Sequence, residues 1–276
     1  MKRLNVPIFG LSVALVLFSA LWAFVIAPLL LFTDANYAVT LIYEGKGESR
    51  PSPAEPTVHS RFIEKHKTQI VASNGPLKNL EMSTRVVDLI SGELQFEKTS
   101  HIWLHPSTLR FEDSEALALF PHHLKPKDYL VKQFSYLPDS GVLFKFKRTE
   151  RIESAEVYRF DYDAPGLDWT DAFDYTLAPG AKIDAHVWGS LWLQPTTGIL
   201  VNHTENWVVK IVGEKFDGLT IDVGNMWLSP DTITKQIFVA QDARRTHDLY
   251  EVAIPLSLLF IGLIVLAMSF RRGEEI

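Results

Sequence analysis

The chain contains no cysteine, so neither a disulfide scaffold nor a thiolate metal site is open to it. A surplus of positive charge is missing too: 27 Lys and Arg stand against 33 Asp and Glu, a formal charge of -6. Four of the basic residues, Lys2, Arg3, Arg271 and Arg272, sit at the two ends, which leaves the middle more acidic still. Such a surface does not suit a polyanion and excludes nucleic acid as a partner. Enzyme signatures are also lacking. No G-x-S-x-G elbow, P-loop, H-E-x-x-H pair or dinucleotide fingerprint occurs. The sequence therefore points away from an enzyme, and it implies no cofactor.

Apolar length is what the chain has in plenty. Val6 to Phe32 runs without a charge before Asp34, and Val252 to Phe270 does the same before Arg271. At about 1.5 Å per residue each run is long enough for a helix to cross a hydrocarbon core of roughly 30 Å. The first run far exceeds the roughly 7 to 15 apolar residues of a signal peptide, so it reads as an uncleaved anchor. Acids (Asp34; Asp248 and Glu251) flank the inner ends and basic residues the outer ones. The positive-inside rule then places a two-pass protein in the cell membrane with both termini cytoplasmic and residues 34–250 outside. Gly10, Ser12, Ala14 and Ala20 in one run, and Ser257, Gly262 and Ala267 in the other, would let the two spans pack closely.

Between the anchors the pattern changes to period two. Tyr37, Val39, Leu41 and Tyr43 alternate up to a breaker at Gly45-Lys46-Gly47, which is a strand signal. Short runs rich in Val, Thr, Ile and aromatics follow: 58–72, 82–90, 94–104, 108–111, 129–136, 142–148, 157–162, 186–193, 199–212 and 219–228. Their near-regular spacing predicts an antiparallel meander. Ser114 to Phe120 reads as a helical turn. Ser229-Pro230-Asp231 then opens a helix with a good N-cap and a proline in its first turn, and Ile233, Ile237 and Ala240 share one face. The expected fold class is a mainly β ectodomain, a curved antiparallel sheet or incomplete barrel, flanked by N- and C-terminal transmembrane helices. The expected divisions are a first anchor at 1–33, the β-rich domain at 34–228, a juxtamembrane helix at 229–251 and a second anchor with its tail at 252–276.

Candidate sites are weak. His101 and His105 on one strand stand about 13 Å apart, too far for one ion, and His59 and His66 face opposite sides. His122 and His123 are the adjacent pair, read as surface loop before metal site. Asp161, Asp163, Asp168 and Asp171 fall in the densest acidic stretch, read as a solvated loop before a calcium site because the EF-hand pattern is absent. The same stretch could present Trp169 and Tyr175 to a sugar. Asn202-His203-Thr204 matches the N-glycosylation acceptor pattern.

Three segments resemble a family of two-span prokaryotic membrane proteins labelled PorA-like. They are Phe120-Pro121 with Tyr129 beyond it, Glu156-Val157-Tyr158-Arg159-Phe160, and the hairpin Trp192-Leu-Gln-Pro195-Thr-Thr-Gly198. Gln194 stands where an acidic residue is common in that family. The resemblance implies an extracytoplasmic β-rich domain between two anchors, with Trp192 buried in the core and Pro195 and Gly198 setting a turn. It supplies no catalytic residue, and two apolar helices cannot form a barrel pore. The arrangement is also similar, in topology only, to the CD36 scavenger receptors, which suggests a lipid as ligand. The expected function is a membrane-anchored binding protein for a hydrophobic or envelope ligand such as a lipid. The alternatives are a structural or assembly subunit, pairing with itself or another envelope protein, and then an uncharacterised enzyme.

Overall fold

The computed structural model describes residues 6–32, 38–50, 52, 54–74, 77–105, 109–111, 117, 119–132, 141–173, 176–213 and 216–271. Lys2, Arg3, Asp34, Tyr37, Tyr175, Arg272 and most of the segment 114–120 lie outside them. The chain divides into a helical unit, Met1–Asp34 with Asp242–Ile276, and a β unit, Ala35–Gln241.

The β unit is one antiparallel sheet of eleven strands. In chain order these are β1 (Ala38–Ser49), β2 (Val58–Asn74), β3 (Leu77–Asp88), β4 (Leu94–His105), β5 (Arg110–Phe111), β6 (Tyr129–Val131), β7 (Val142–Ile152), β8 (Ala155–Asp168), β9 (Lys182–Leu193), β10 (Leu200–Gly213) and β11 (Phe216–Leu228). The order across the sheet is β5-β4-β3-β2-β1-β11-β10-β9-β8-β7-β6. Two meanders are thus joined by pairing the first strand with the last, and the sheet curls into a half-barrel.

The concave face holds the main core. Tyr43, Phe144, Phe160, Ile183, Leu191, Leu193, Ile211 and Leu228 are fully buried there. The curl is tight enough that bulky rings lie over glycines in the neighbouring strand. A Cβ on Gly45 would fall 2.1 Å from the Phe62 ring, and one on Gly189 would fall 2.2 Å from the Thr204 carbonyl and 2.9 Å from the Tyr162 hydroxyl. Gly45 and Gly47 therefore do not break β1, which continues to Ser49. Gly45 leaves room for the Phe62 ring, and a Cβ on Gly47 would fall 3.0 Å from the Val223 carbonyl.

On the opposite face lies α3 (Pro230–His247). Ser229 caps it, its hydroxyl accepting the Thr232 N–H at 3.3 Å, and Ile237 and Ala240 pack onto Ala155, Val157 and Val201. The spacing read as one helical face is the face that is buried.

The helical unit contains α1 (Val6–Leu21), the short α2 (Ala27–Phe32) and α4 (Ile254–Arg271), and it pairs α1 with α4. Ser12, Ser19, Pro255, Gly262 and Ser269 are the buried positions, seven apart within each helix, which is the heptad seam of a supercoiled pair. Gly262 lies against Leu15 and Val16, where a Cβ would fall 3.1 Å from Val16. Ser19 donates to the Pro255 carbonyl at 2.7 Å. Gly10 has open space around it, and Ala14, Ala20, Ser257 and Ala267 face outward, so only part of the small-residue set serves the contact.

Both helices widen to π geometry just ahead of a proline, at Trp22–Ile26 before Pro28 and at Asp248–Ala253 before Pro255. In each the last N–H reaches five residues back, Ala27 to Trp22 and Ile254 to Leu249. A proline ring collides with the carbonyl four residues before it, and the wider turn moves that carbonyl aside. The next bond in the wide register would run from residue 255 to Tyr250, and proline has no N–H to make it. The Trp22 indole donates to the Tyr250 carbonyl at 3.0 Å instead, satisfying a group that lipid could not.

Candidate functional site

Across the middle of the concave face runs a buried polar chain that the sequence reading did not pick out. His203 Nδ1 lies 3.2 Å from the Tyr43 hydroxyl and Nε2 lies 3.1 Å from the Tyr162 hydroxyl. Tyr162 in turn donates to Glu205. Since the Tyr162 proton is committed to the carboxylate, His203 must donate from Nε2 and accept the Tyr43 proton on Nδ1. The chain has one direction and requires a neutral imidazole. Burial, helped by nearby His66, pushes the His203 pKa down to about 3. Burial, then Glu205 and Glu64, raises that of Tyr43 well above its ordinary value. At the outer end His66 bonds Glu64 and its ring lies 5.0 Å from that of Tyr43. Tyr43 and His203 are 0% exposed and Glu205 is 5% exposed. A sealed chain of this kind specifies the packing of the core and offers no substrate an approach.

The second feature is the wing formed by β2, β3 and β4, where the apolar surface is left open. Val86 packs against the edge of the main core. Its cross-strand neighbour Phe96 is 47% exposed. At the tip of the β3–β4 hairpin the Asp88 carboxylate accepts the N–H groups of Ile90 and Ser91 at 2.7 and 2.8 Å, and the turn so fixed holds out Leu89 and Ile90, the latter 70% exposed. Val58 and Leu94 at the same end are about half exposed as well. Scattered exposed apolar residues are ordinary, whereas a contiguous group marks a surface that something else covers.

The residues singled out in the sequence are dispersed. Asp161 and Asp163 do not lie in a loop, because β8 runs on through a bulge to Asp168. Asp161 accepts bonds from Arg159 at 2.9 Å and Ser190 at 2.7 Å, and Asp163 pairs with His186. Asp168 closes a turn, its carboxylate accepting the Thr170 hydroxyl and N–H, which hold its pKa below the ordinary value. Asp171 is exposed in the single turn Thr170–Ala172. Among the described residues these aspartates join no cluster of metal-ligand type. Trp169 is half-buried against the main core, and Tyr175 lies outside the described residues. Asn202 sits inside the central strand β10, half-buried, with its carboxamide on the His203 N–H, and not in the exposed loop that suits a glycan acceptor.

Two of the patches that carry the family resemblance meet in space. The strap Phe120–Leu124, which contains His122 and His123, docks on the β9–β10 hairpin: His123 N–H donates to Thr196 and Leu124 N–H to Pro195, at 2.8 and 2.7 Å. Gly198 has φ +71°, and a Cβ there would fall 2.7 Å from the Phe120 carbonyl, so both backbone and strap demand glycine. Gln194 is buried and accepts the N–H and hydroxyl of Thr197 at 2.7 and 3.0 Å. Among the described residues the bonds of its side chain are made by the carbonyl oxygen, a role that a carboxylate fills equally. Trp192 is half-buried, and it lies not in the main core but in the second cluster, packed with α3. Its indole donates to Glu150 at 2.7 Å and its ring faces Arg159 at 5.3 Å.

Two apolar helices long enough to span a bilayer and a curled antiparallel sheet between them define a membrane protein with one β-rich domain. The model of the family described as Porin PorA matches residues 117–271, more than half of the chain, and the chain belongs to that family. No curated protein matches. Among solved structures the chain is similar to a 12:0-ACP thioesterase from Umbellularia californica, at 10% identity over 70% of this chain and 76% of that one, with a TM-score of 0.16. It is also similar to a domain assigned as an outer membrane lipoprotein-sorting protein from Vibrio parahaemolyticus, at 8% identity over 72% and 90%, with a TM-score of 0.15. At these scores neither carries an argument. The word porin does not describe this sheet, whose concave face is filled with side chains, whose edge strands β5 and β6 do not pair, and whose outer face bears Lys46, Glu48 and Arg61. A membrane barrel needs a closed sheet with an apolar outer belt.

Proposed function

We propose that this protein is a membrane-anchored extracytoplasmic binding protein that holds a hydrophobic, lipid-like ligand on the open wing of its half-barrel. The observation that carries the reading is continuity: the packed core passes through Val86 onto exposed Phe96, with Leu89 and Ile90 at the hairpin tip beyond it. An acyl chain laid there completes a core that the protein leaves unfinished, and each CH₂ removed from water contributes about 0.8 kcal/mol. The ligand is held on a face, not swallowed in a cavity, because the deeper half of the half-barrel is occupied by its own aromatics. Assembly through sheet edges is the second reading: β5 pairs only with Leu104 and His105 of β4, and β6 only with Val142, Leu143 and Phe144 of β7, so among the described residues the remainder of β4 and of β7 has an open edge.

The test is extraction of bound lipid from the purified full-length protein and from the variants Phe96→Asp and Ile90→Asp. Wild type should yield a stoichiometric lipid that both variants lose, with thermal midpoints within a few degrees of wild type. Equal lipid recovery from all three would reject the wing as the site.

A further inference from the structure

We propose that the outward face of the same sheet carries a separate site for an anionic saccharide. A row of side chains crosses five adjacent strands in register: Arg61 on β2 opposes Lys46 on β1, Lys46 opposes Asn225 on β11, Asn225 opposes Asn206 on β10, and Asn206 opposes Trp188 on β9. All five stand on the face opposite the core and line one cleft of about 540 Å³. At about 4.8 Å between strands the row spans roughly 19 Å, the reach of a short oligosaccharide.

The composition of the row is what calls for a ligand. Asn is disfavoured inside strands, yet two stand side by side in β10 and β11, both of which have neighbours on each side. Neither carboxamide, nor Lys46 or Arg61, makes a side-chain hydrogen bond or ion pair with another described residue. Two of the carboxylates nearby are otherwise engaged: Glu48 pairs with His59 at 3.3 Å, and Asp163 with His186. Trp188 is held in place, its ring 4.8 Å from that of His186, which Asp163 fixes in turn. The bland alternative, a solvated face of long charged side chains, accounts for Lys46 and Arg61 but not for two adjacent amides beside an oriented indole.

Each part matches a part of one chemistry. The indole face takes the C–H face of a sugar ring. The two amides offer donors and acceptors for neighbouring hydroxyls. The two cations, at the far end of the row, take a carboxylate or phosphate. Glu44 and Glu48 flank Lys46 on the same face of β1, so the site suits a single negative charge and not a polyanion. The saccharide can be a free glycan or the headgroup of a glycolipid.

Saturation-transfer NMR on the full-length protein in detergent tests this, with glucuronic acid, glucose and inorganic phosphate as probes, alongside co-sedimentation with phosphatidylcholine vesicles containing or lacking phosphatidylinositol. Glucuronic acid should bind better than glucose, Trp188→Ala should weaken it about tenfold, and Lys46→Gln with Arg61→Gln should bring the two sugars level. Trp188→Phe should retain most of the binding. Vesicle binding that needs phosphatidylinositol and Trp188 identifies a headgroup, and glucuronic acid binding without it identifies a glycan; either result supports the site. Phosphate binding as well as glucuronic acid, or sugar and vesicle binding unchanged in Trp188→Ala, overturns it. Because the wing variant Phe96→Asp leaves this face intact, it should bind glucuronic acid as wild type does.

Discussion

Lowering the pH from 8 to 5 should destabilise the β unit through one residue, His203. Unfolded, this histidine titrates near 6.5; folded, burial holds it neutral down to about 3. As pH falls below 6.5 the unfolded chain gains a proton that the folded chain cannot accept. The stability present above pH 6.5 is therefore lost progressively until about pH 3, where the folded state protonates too. At pH 5 the loss is about 2 kcal/mol, equivalent to a fall of roughly 4–8 °C in the melting midpoint of a cooperative unit of this size. Asp222, whose pKa burial raises, works in the opposite direction, because its folded form holds a proton that the unfolded form releases. The informative quantity is thus the difference in pH slope between wild type and His203→Gln. Glutamine keeps a donor and an acceptor between Tyr43 and Tyr162 but cannot titrate. Thermal melts of the full-length protein in detergent, followed by near-ultraviolet circular dichroism at pH 8, 7, 6 and 5, give both slopes. The variant should melt lower at pH 8 and should lack the His203 share of the acid loss. Equal slopes in the two proteins would refute the claim that His203 is buried neutral.

Three further outcomes follow from the packing. Gly189→Ala places a methyl 2.2 Å from a backbone carbonyl and should cost about 3 kcal/mol, read as a drop in melting midpoint. Tyr162→Phe removes the hydroxyl that donates to Glu205 in a site only 5% exposed and should cost about 3 kcal/mol, whereas Trp188→Ala on the outer face should change the midpoint little. The absence of native cysteine makes the helix pair directly testable: Leu15→Cys with Gly262→Cys puts two Cβ atoms about as far apart as the 3.3 Å between Leu15 and a Cβ on Gly262, within reach of a disulfide. Mild oxidation should shift its gel mobility, and Val13→Cys with Gly262→Cys should not.

The strands were legible because one face of each is apolar and Gly, Pro or Asx punctuates the ends. Their lengths were not. Gly45-Lys-Gly47 resembles a turn in sequence, and only the neighbouring strands explain the glycines within β1: the Phe62 ring lies over Gly45 and the Val223 carbonyl close to Gly47. The acidic stretch looked like a loop because Asp161 and Asp163 carry charge, yet in a sheet with one solvated face those are the outward positions of β8. The cap at Ser229 and the face of Ile237 and Ala240 could be read from local spacing alone. The polar chain was missed since its members come from β1, β2, β8 and β10, far apart in sequence. A trace existed in β10, where His203 and Glu205 occupy the phase that Val209 and Ile211 fill with apolar side chains. The outward row has no sequence signature at all, because its alignment is a property of register across five strands.

The central claim is that the open wing carries a lipid-like ligand. Native mass spectrometry of the full-length protein released gently from detergent tests it most directly. A population heavier than the bare 31.3 kDa chain by the mass of one lipid is expected, and Phe96→Asp should abolish it. A single species at the mass of the bare chain, in wild type and variant alike, would contradict it.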